Sequence, residues 1–173
     1  MQGAFLAHAL ATVEALTFRQ AVWLFCPAFV LHVFEEWPRF TGWAKHHASN
    51  QFTQRDYNSI HVAGIIGSIL AALIVFWFPN RTVSFLFFAF VFTPSVFFNT
   101  LFHVGASILT RTYCPGVITA VTIYLPLFAL VSELAYKEGL LSVGSVIATL
   151  LVGGRVSHLG SRSQRLQSLV TSE

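Results

Sequence analysis

The stretch Leu31-His32-Val33-Phe34-Glu35-Glu36-Trp37-Pro38 closes an apolar run that begins near Phe18, and it sets an imidazole and two adjacent carboxylates inside an expected membrane-crossing helix. An acidic residue at the centre of such a helix costs about 2.5–3.5 kcal/mol on an insertion scale, and less nearer an end. A metal ion, a proton or a buried cationic partner offsets that cost. The stretch therefore reads as the end of a span and as a site at once.

The rest of the chain agrees with a membrane reading. Of 173 residues, 55% are hydrophobic, 15% aromatic and only 10% charged, against roughly 25% charged in a soluble domain. Five apolar segments run from Phe18 to Trp37, Ile60 to Phe78, Thr82 to Leu109, Pro115 to Tyr136 and Leu140 to Val156, and a crossing helix needs about 20 residues. The expected fold is an all-α integral membrane bundle of about five transmembrane helices, the third kinked at Pro94. Residues 18–156 form that one bundle, and 157–173 a basic polar tail. Met1 to Thr17 holds no Lys or Arg, so it lacks the n-region of a signal peptide and reads as a retained segment lying at the interface.

Charge sets the orientation. With five crossings Arg39, Lys45, Arg55, Arg111, Arg155, Arg162 and Arg165 share one side, and Arg19, Arg81 and Lys137 the other. The basic side is expected to be cytoplasmic, with the N-terminus outside, in a plasma or inner membrane. The net charge of +3 then serves orientation and lipid headgroups, which makes nucleic acid an unexpected partner. Cys26 and Cys114 have no C-x-x-C spacing and read as buried free thiols. Small-residue spacings at Gly64 and Ser68, and at Gly144 and Ala148, suit close helix packing within a chain or between chains of an oligomer.

Alternating crossings bring the end of span one, the start of span two, the end of span three and the start of span four to one face. His32 shares a helical face with Glu35 and Glu36, and Asn99 with His103 four residues on. Imidazole and carboxylate together suit Zn, Fe or Mn. The expected ligands of a divalent metal are His32, Glu35, Glu36 and His103, with Asn99 or His61 in addition. Glu133 can pair with Lys137 at i+4, His46-His47 reads as solvated, and Tyr113-Cys114-Pro115-Gly116 as the turn into span four.

His32-Val33-Phe34-Glu35-Glu36 in an early span, followed by Asn99, His103 and Tyr113-Cys114-Pro115-Gly116, resembles the HXXEE-domain family of small multi-span membrane proteins, over approximately Leu24 to Glu133. That resemblance implies a shared site at His32, Glu35 and Glu36, and no reaction. The functional expectation is an integral membrane enzyme. Its metal site acts on a lipid-soluble substrate (isoprenoid, sterol-like or fatty), with Glu35, Glu36 and His32 as the catalytic set. The alternative is a metal-free isomerase or cyclase of a prenyl or sterol substrate, using Glu35 and Glu36 as acid and base. A proton-coupled or metal-ion carrier is a further alternative.

Overall fold

Three prolines explain where the helices depart from regular α geometry. Proline lacks the N–H that would bond four residues back, and its ring crowds that carbonyl. In the first helix, α1, Phe18–Ala21 and Phe25–Glu36 are joined by a 3-10 turn at Val22–Leu24, which includes Trp23, four residues before Pro27. In α4, Arg81–Thr110, the backbone widens to a π-helix over Phe88–Phe98, around Pro94. In α5, Val117–Lys137, a π turn at Ala120–Tyr124 precedes Pro126. Each π stretch adjoins a residue of the polar cluster described below, Asn99 after the first and Thr119 before the second, a common place for such widening.

The other helices are α2, Phe40–His47, α3, Gln54–Trp77, and α6, Val143–Val170. This computed structural model describes residues 16–48 and 52–170, with side chains as far as His158. The described residues form an all-α bundle without strands. Three helices are long and apolar enough to cross a membrane: Gln54–Trp77, Arg81–Thr110 and Val117–Lys137. The expected count of about five is therefore not supported. Phe18–Glu36 is interrupted by its 3-10 turn and polar at both ends, and the last apolar helix, Val143–His158, is too short. Span two begins earlier than expected because Thr53 and Asp56 form a capping box that starts α3 at Gln54. The expected interfacial segment 1–17 lies almost wholly outside the described residues, and the backbone of the polar tail continues α6 to Val170.

Apolar side chains face both ways. Phe18, Phe25, Phe88, Phe92 and Val131 are buried in the core, whereas α3 exposes Val62, Ile66, Leu70, Ile74 and Trp77. An outward apolar face on so long a helix is what lipid contact requires.

Helices α1 and α5 run antiparallel and cap one another. The Phe18 N–H at the start of α1 donates to Glu138 Oε1 just past the end of α5, at 2.6 Å. Glu35 near the end of α1 accepts from N–H groups at the start of α5. A helix start leaves N–H groups unpaired, and a carboxylate there also meets the positive end of the dipole. Glu133 pairs with Lys137 at 2.7 Å, as the i+4 spacing predicts.

Helix α6 packs on the π stretch of α4 through Gly153 and Gly154. A Cβ on Gly153 would meet Thr93 Cγ2 at 3.0 Å and Pro94 Cδ at 3.4 Å. Gly153→Leu is expected to destabilise the bundle by about 1–3 kcal/mol through overpacking. A lowered thermal midpoint in detergent would register it, whereas Gly67→Ala, with open space around the new methyl, leaves the midpoint unchanged or higher.

Candidate metal centre

Glu36 is the hub of the site. Although only 3% exposed, it meets four side chains from three helices. Its Oε1 lies 3.1 Å from His103 Nε2 on α4 and 3.6 Å from His32 Nε2 one turn back on α1. Its Oε2 lies 2.8 Å from His61 Nε2 and accepts from the Tyr57 hydroxyl at 3.2 Å, both on α3. A buried carboxylate survives where such partners replace its water.

Each imidazole is held from behind by its other nitrogen. His32 Nδ1 lies 2.8 Å from Thr119 Oγ1, His61 Nδ1 donates to the Tyr57 carbonyl at 2.7 Å, and His103 Nδ1 lies 3.4 Å from Cys114 Sγ. All three Nε2 atoms consequently turn towards Glu36. This pattern, one nitrogen anchored and the other presented, is that of metal-ligating histidines. A carboxylate oxygen only accepts, so what joins His61 Nε2 to Glu36 Oε2 is a proton or a metal ion.

His32, Glu36 and His103 form a group that can hold a metal ion: one ligand atom from each lies within 4.8 Å of the others, and all three residues are buried. The donor set suits one. His103 is 0% exposed, and its Nε2 makes no hydrogen bond despite the 3.1 Å approach to Glu36. An orphaned buried nitrogen facing a carboxylate is costly unless a cation joins the two.

The expected ligand set of His32, Glu35, Glu36, His103 and Asn99 comes together only in part. Glu35 sits at the site's edge, with both oxygens turned away from the cluster. Its Oε1 accepts from Gly116 N–H, Ile118 N–H and the Tyr113 hydroxyl at 3.1, 3.0 and 2.5 Å, and its Oε2 accepts from Thr119 N–H and Oγ1 at 2.6 and 2.5 Å. Those five donors leave no lone pair for a metal, because the bare start of α5 takes them. Asn99 does reach the site, as a partner of a ligand ring and not as a ligand: its Nδ2 donates to His32 Nε2 at 2.8 Å, a bond that an ion held by that nitrogen would replace. His61 is nearer the hub than its place at the start of span two suggests. His46 and His47 end α2 and are exposed, with the His47 ring 5.0 Å from that of Trp43.

Four contributors, Tyr57, Tyr124, Cys114 and Gly116, were not legible as site residues. Tyr57 lies four residues before His61, on the same face of α3, which is the signal that could have revealed it. Tyr124 packs against the His32 ring, tilted by 33° with 4.6 Å between centroids. Cys114 is fully buried, and burial, ahead of the charges of Glu36 and Glu35, pushes its thiol up to about 12. Burial, then the bond to Glu35, likewise pushes the Tyr113 phenol up to about 12, so it stays a donor at ordinary pH. Gly116 lies beneath the two ligand rings at φ +100°.

No curated protein and no solved structure matches the chain. Residues 23–131 match the family described as "Protein of unknown function with HXXEE motif", and in this chain the motif is His32-Val33-Phe34-Glu35-Glu36. With the greater part of its length matched, the chain belongs to the HXXEE family.

Proposed function

We propose that this protein is a membrane-embedded, metal-dependent enzyme acting on a lipid-soluble substrate of isoprenoid, sterol-like or fatty character. The observation that carries the reading is His103 Nε2, sealed from solvent and unbonded beside Glu36 Oε1. A divalent ion, Zn, Fe or Mn by donor type, would be held by His32 Nε2, His103 Nε2 and Glu36. When bound, it supplies Lewis-acid polarisation of a substrate oxygen. The chain's own residues do the rest. Tyr57 and His61 fix the Glu36 carboxylate, Thr119 and Cys114 fix the ligand rings, and Phe40 packs over His103 at 5.9 Å to exclude water. Glu36 Oε2 is the carboxylate oxygen placed to take up or return a proton, through His61, whose side chain is 16% exposed. Arg39, Lys45, Arg55 and Arg111 flank this end of the bundle, which supports a cytoplasmic orientation for it.

A metal-free acid/base enzyme is favoured by one contact, the 2.8 Å approach of His61 to Glu36. Its pair is then Glu36 with His61 in place of Glu36 with Glu35.

The test is mass spectrometry of a membrane lipid extract incubated with purified protein loaded with Zn2+, Mn2+ or Fe2+. The proposal expects a lipid species consumed by wild type, spared by chelator, and spared in Glu36→Gln and His103→Ala. Turnover that survives chelation but not Glu36→Gln would establish the acid/base reading instead. An unchanged lipid pool with all three metals would contradict both.

A further inference from the structure

Thr119 has a single hydroxyl proton, and its surroundings say where that proton goes. Its Oγ1 lies 2.5 Å from Glu35 Oε2, an atom that only accepts, and at a longer 3.2 Å from the Gly116 carbonyl, which also only accepts. The proton is therefore spent on these acceptors, above all on Glu35. What remains for His32 is an oxygen lone pair. His32 Nδ1, 2.8 Å away, must be the partner that carries hydrogen. Its Nε2 is then bare, and Asn99 Nδ2 donating to that nitrogen at 2.8 Å is an independent sign of the same arrangement.

We propose that Glu35, through Thr119, is a positioning residue that fixes His32 in the tautomer with hydrogen on Nδ1 and a lone pair on Nε2. The two carboxylates of the motif thereby divide the work. Glu36 lies among the imidazoles, and Glu35 reaches the site only through a hydroxyl and a ring. The order Glu35, Thr119, His32 is a carboxylate-to-histidine chain with one hydroxyl inserted, and such outer partners orient the ring and raise its basicity as a ligand. Glu35 itself is immobilised by the N–H groups of Gly116, Ile118 and Thr119. The ring orientation is thus referenced to the backbone of α5, and the site is complete only when α1 and α5 are docked. The residue pair also explains why a Thr stands at position 119: Val has the same shape but cannot accept from an imidazole.

The proposal deepens the metal reading, and its test is readable without any metal. Nitrogen-15 NMR of histidine-labelled, metal-free protein, with His32→Gln to assign the signal, is expected to show His32 protonated on Nδ1 alone. In Thr119→Val that preference is lost and Zn2+ affinity falls on the order of tenfold or more, while Thr119→Ser restores both. A wild-type His32 protonated on Nε2, or a Thr119→Val spectrum identical to wild type, overturns the proposal. If the valine variant fails to fold, the wild-type tautomer alone decides. A wild type with the expected tautomer and no affinity for Zn2+, Mn2+ or Fe2+ would sink the metal reading and leave this chain of hydrogen bonds standing.

Discussion

Glu36→Ala is expected to abolish metal binding, with a loss in affinity of about 3–5 kcal/mol, or roughly two to four orders of magnitude. The alanine removes the one charged ligand and leaves His32, His61 and His103 presenting nitrogens to an empty space. No other carboxylate can substitute, because the oxygens of Glu35 are held by five donors. Glu36→Gln isolates the charge from the shape, since the amide keeps one acceptor and nearly the same volume. Calorimetric titration with Zn2+ in detergent should find both variants without a measurable site. Glu35→Ala is expected to behave differently. It uncaps α5, so its larger effect is on the thermal midpoint, and its effect on Zn2+ affinity is indirect.

Gly116→Ala is the second large effect, and it comes from backbone and space together. The residue sits at φ +100°, where a side chain is strained by about 1–3 kcal/mol. The new Cβ would lie 2.6 Å from His103 Cε1, 2.8 Å from His32 Cε1 and 3.0 Å from Glu36 Cγ. None of those groups can retreat easily, because all three residues are buried and anchored. The methyl therefore pushes apart the atoms that must converge, and metal affinity is expected to fall by about tenfold to a hundredfold even in protein that still folds. Gly105→Ala is the matched control: nothing lies within 4 Å of its added Cβ, and its titration should overlay that of wild type.

The polar residues were readable because the membrane makes them expensive. His32, Glu36 and His103 stand out against apolar surroundings, and reading the apolar segments as alternating crossings was enough to expect them at one end of the bundle. What the spacing left undetermined was how adjacent side chains divide their partners. Glu35 and Glu36 are equivalent by helical geometry, and only the position of the α5 start distinguishes a cap from a hub. Asn99 is on the right face at the right depth, but which of its two polar atoms turns to His32 follows from the packed site. Tyr57 and Gly116 escaped because neither is unusual in its local sequence, and their roles arise from contacts across α1, α3 and α5. Helix boundaries had the same limit. Pro94 announced a disturbance in α4, yet nothing in the local sequence said that it would take the form of a π stretch over Phe88–Phe98, against which Gly153 and Gly154 of α6 pack.

The most direct measurement is X-ray absorption at the metal edge of detergent-purified protein titrated with one equivalent of Zn2+ or Mn2+. The account predicts one bound ion per chain, with two imidazoles and one carboxylate in its first coordination sphere, and a single imidazole in His32→Ala or His103→Ala. A wild type that retains no ion after desalting, or a spectrum unaltered by either substitution, would contradict it.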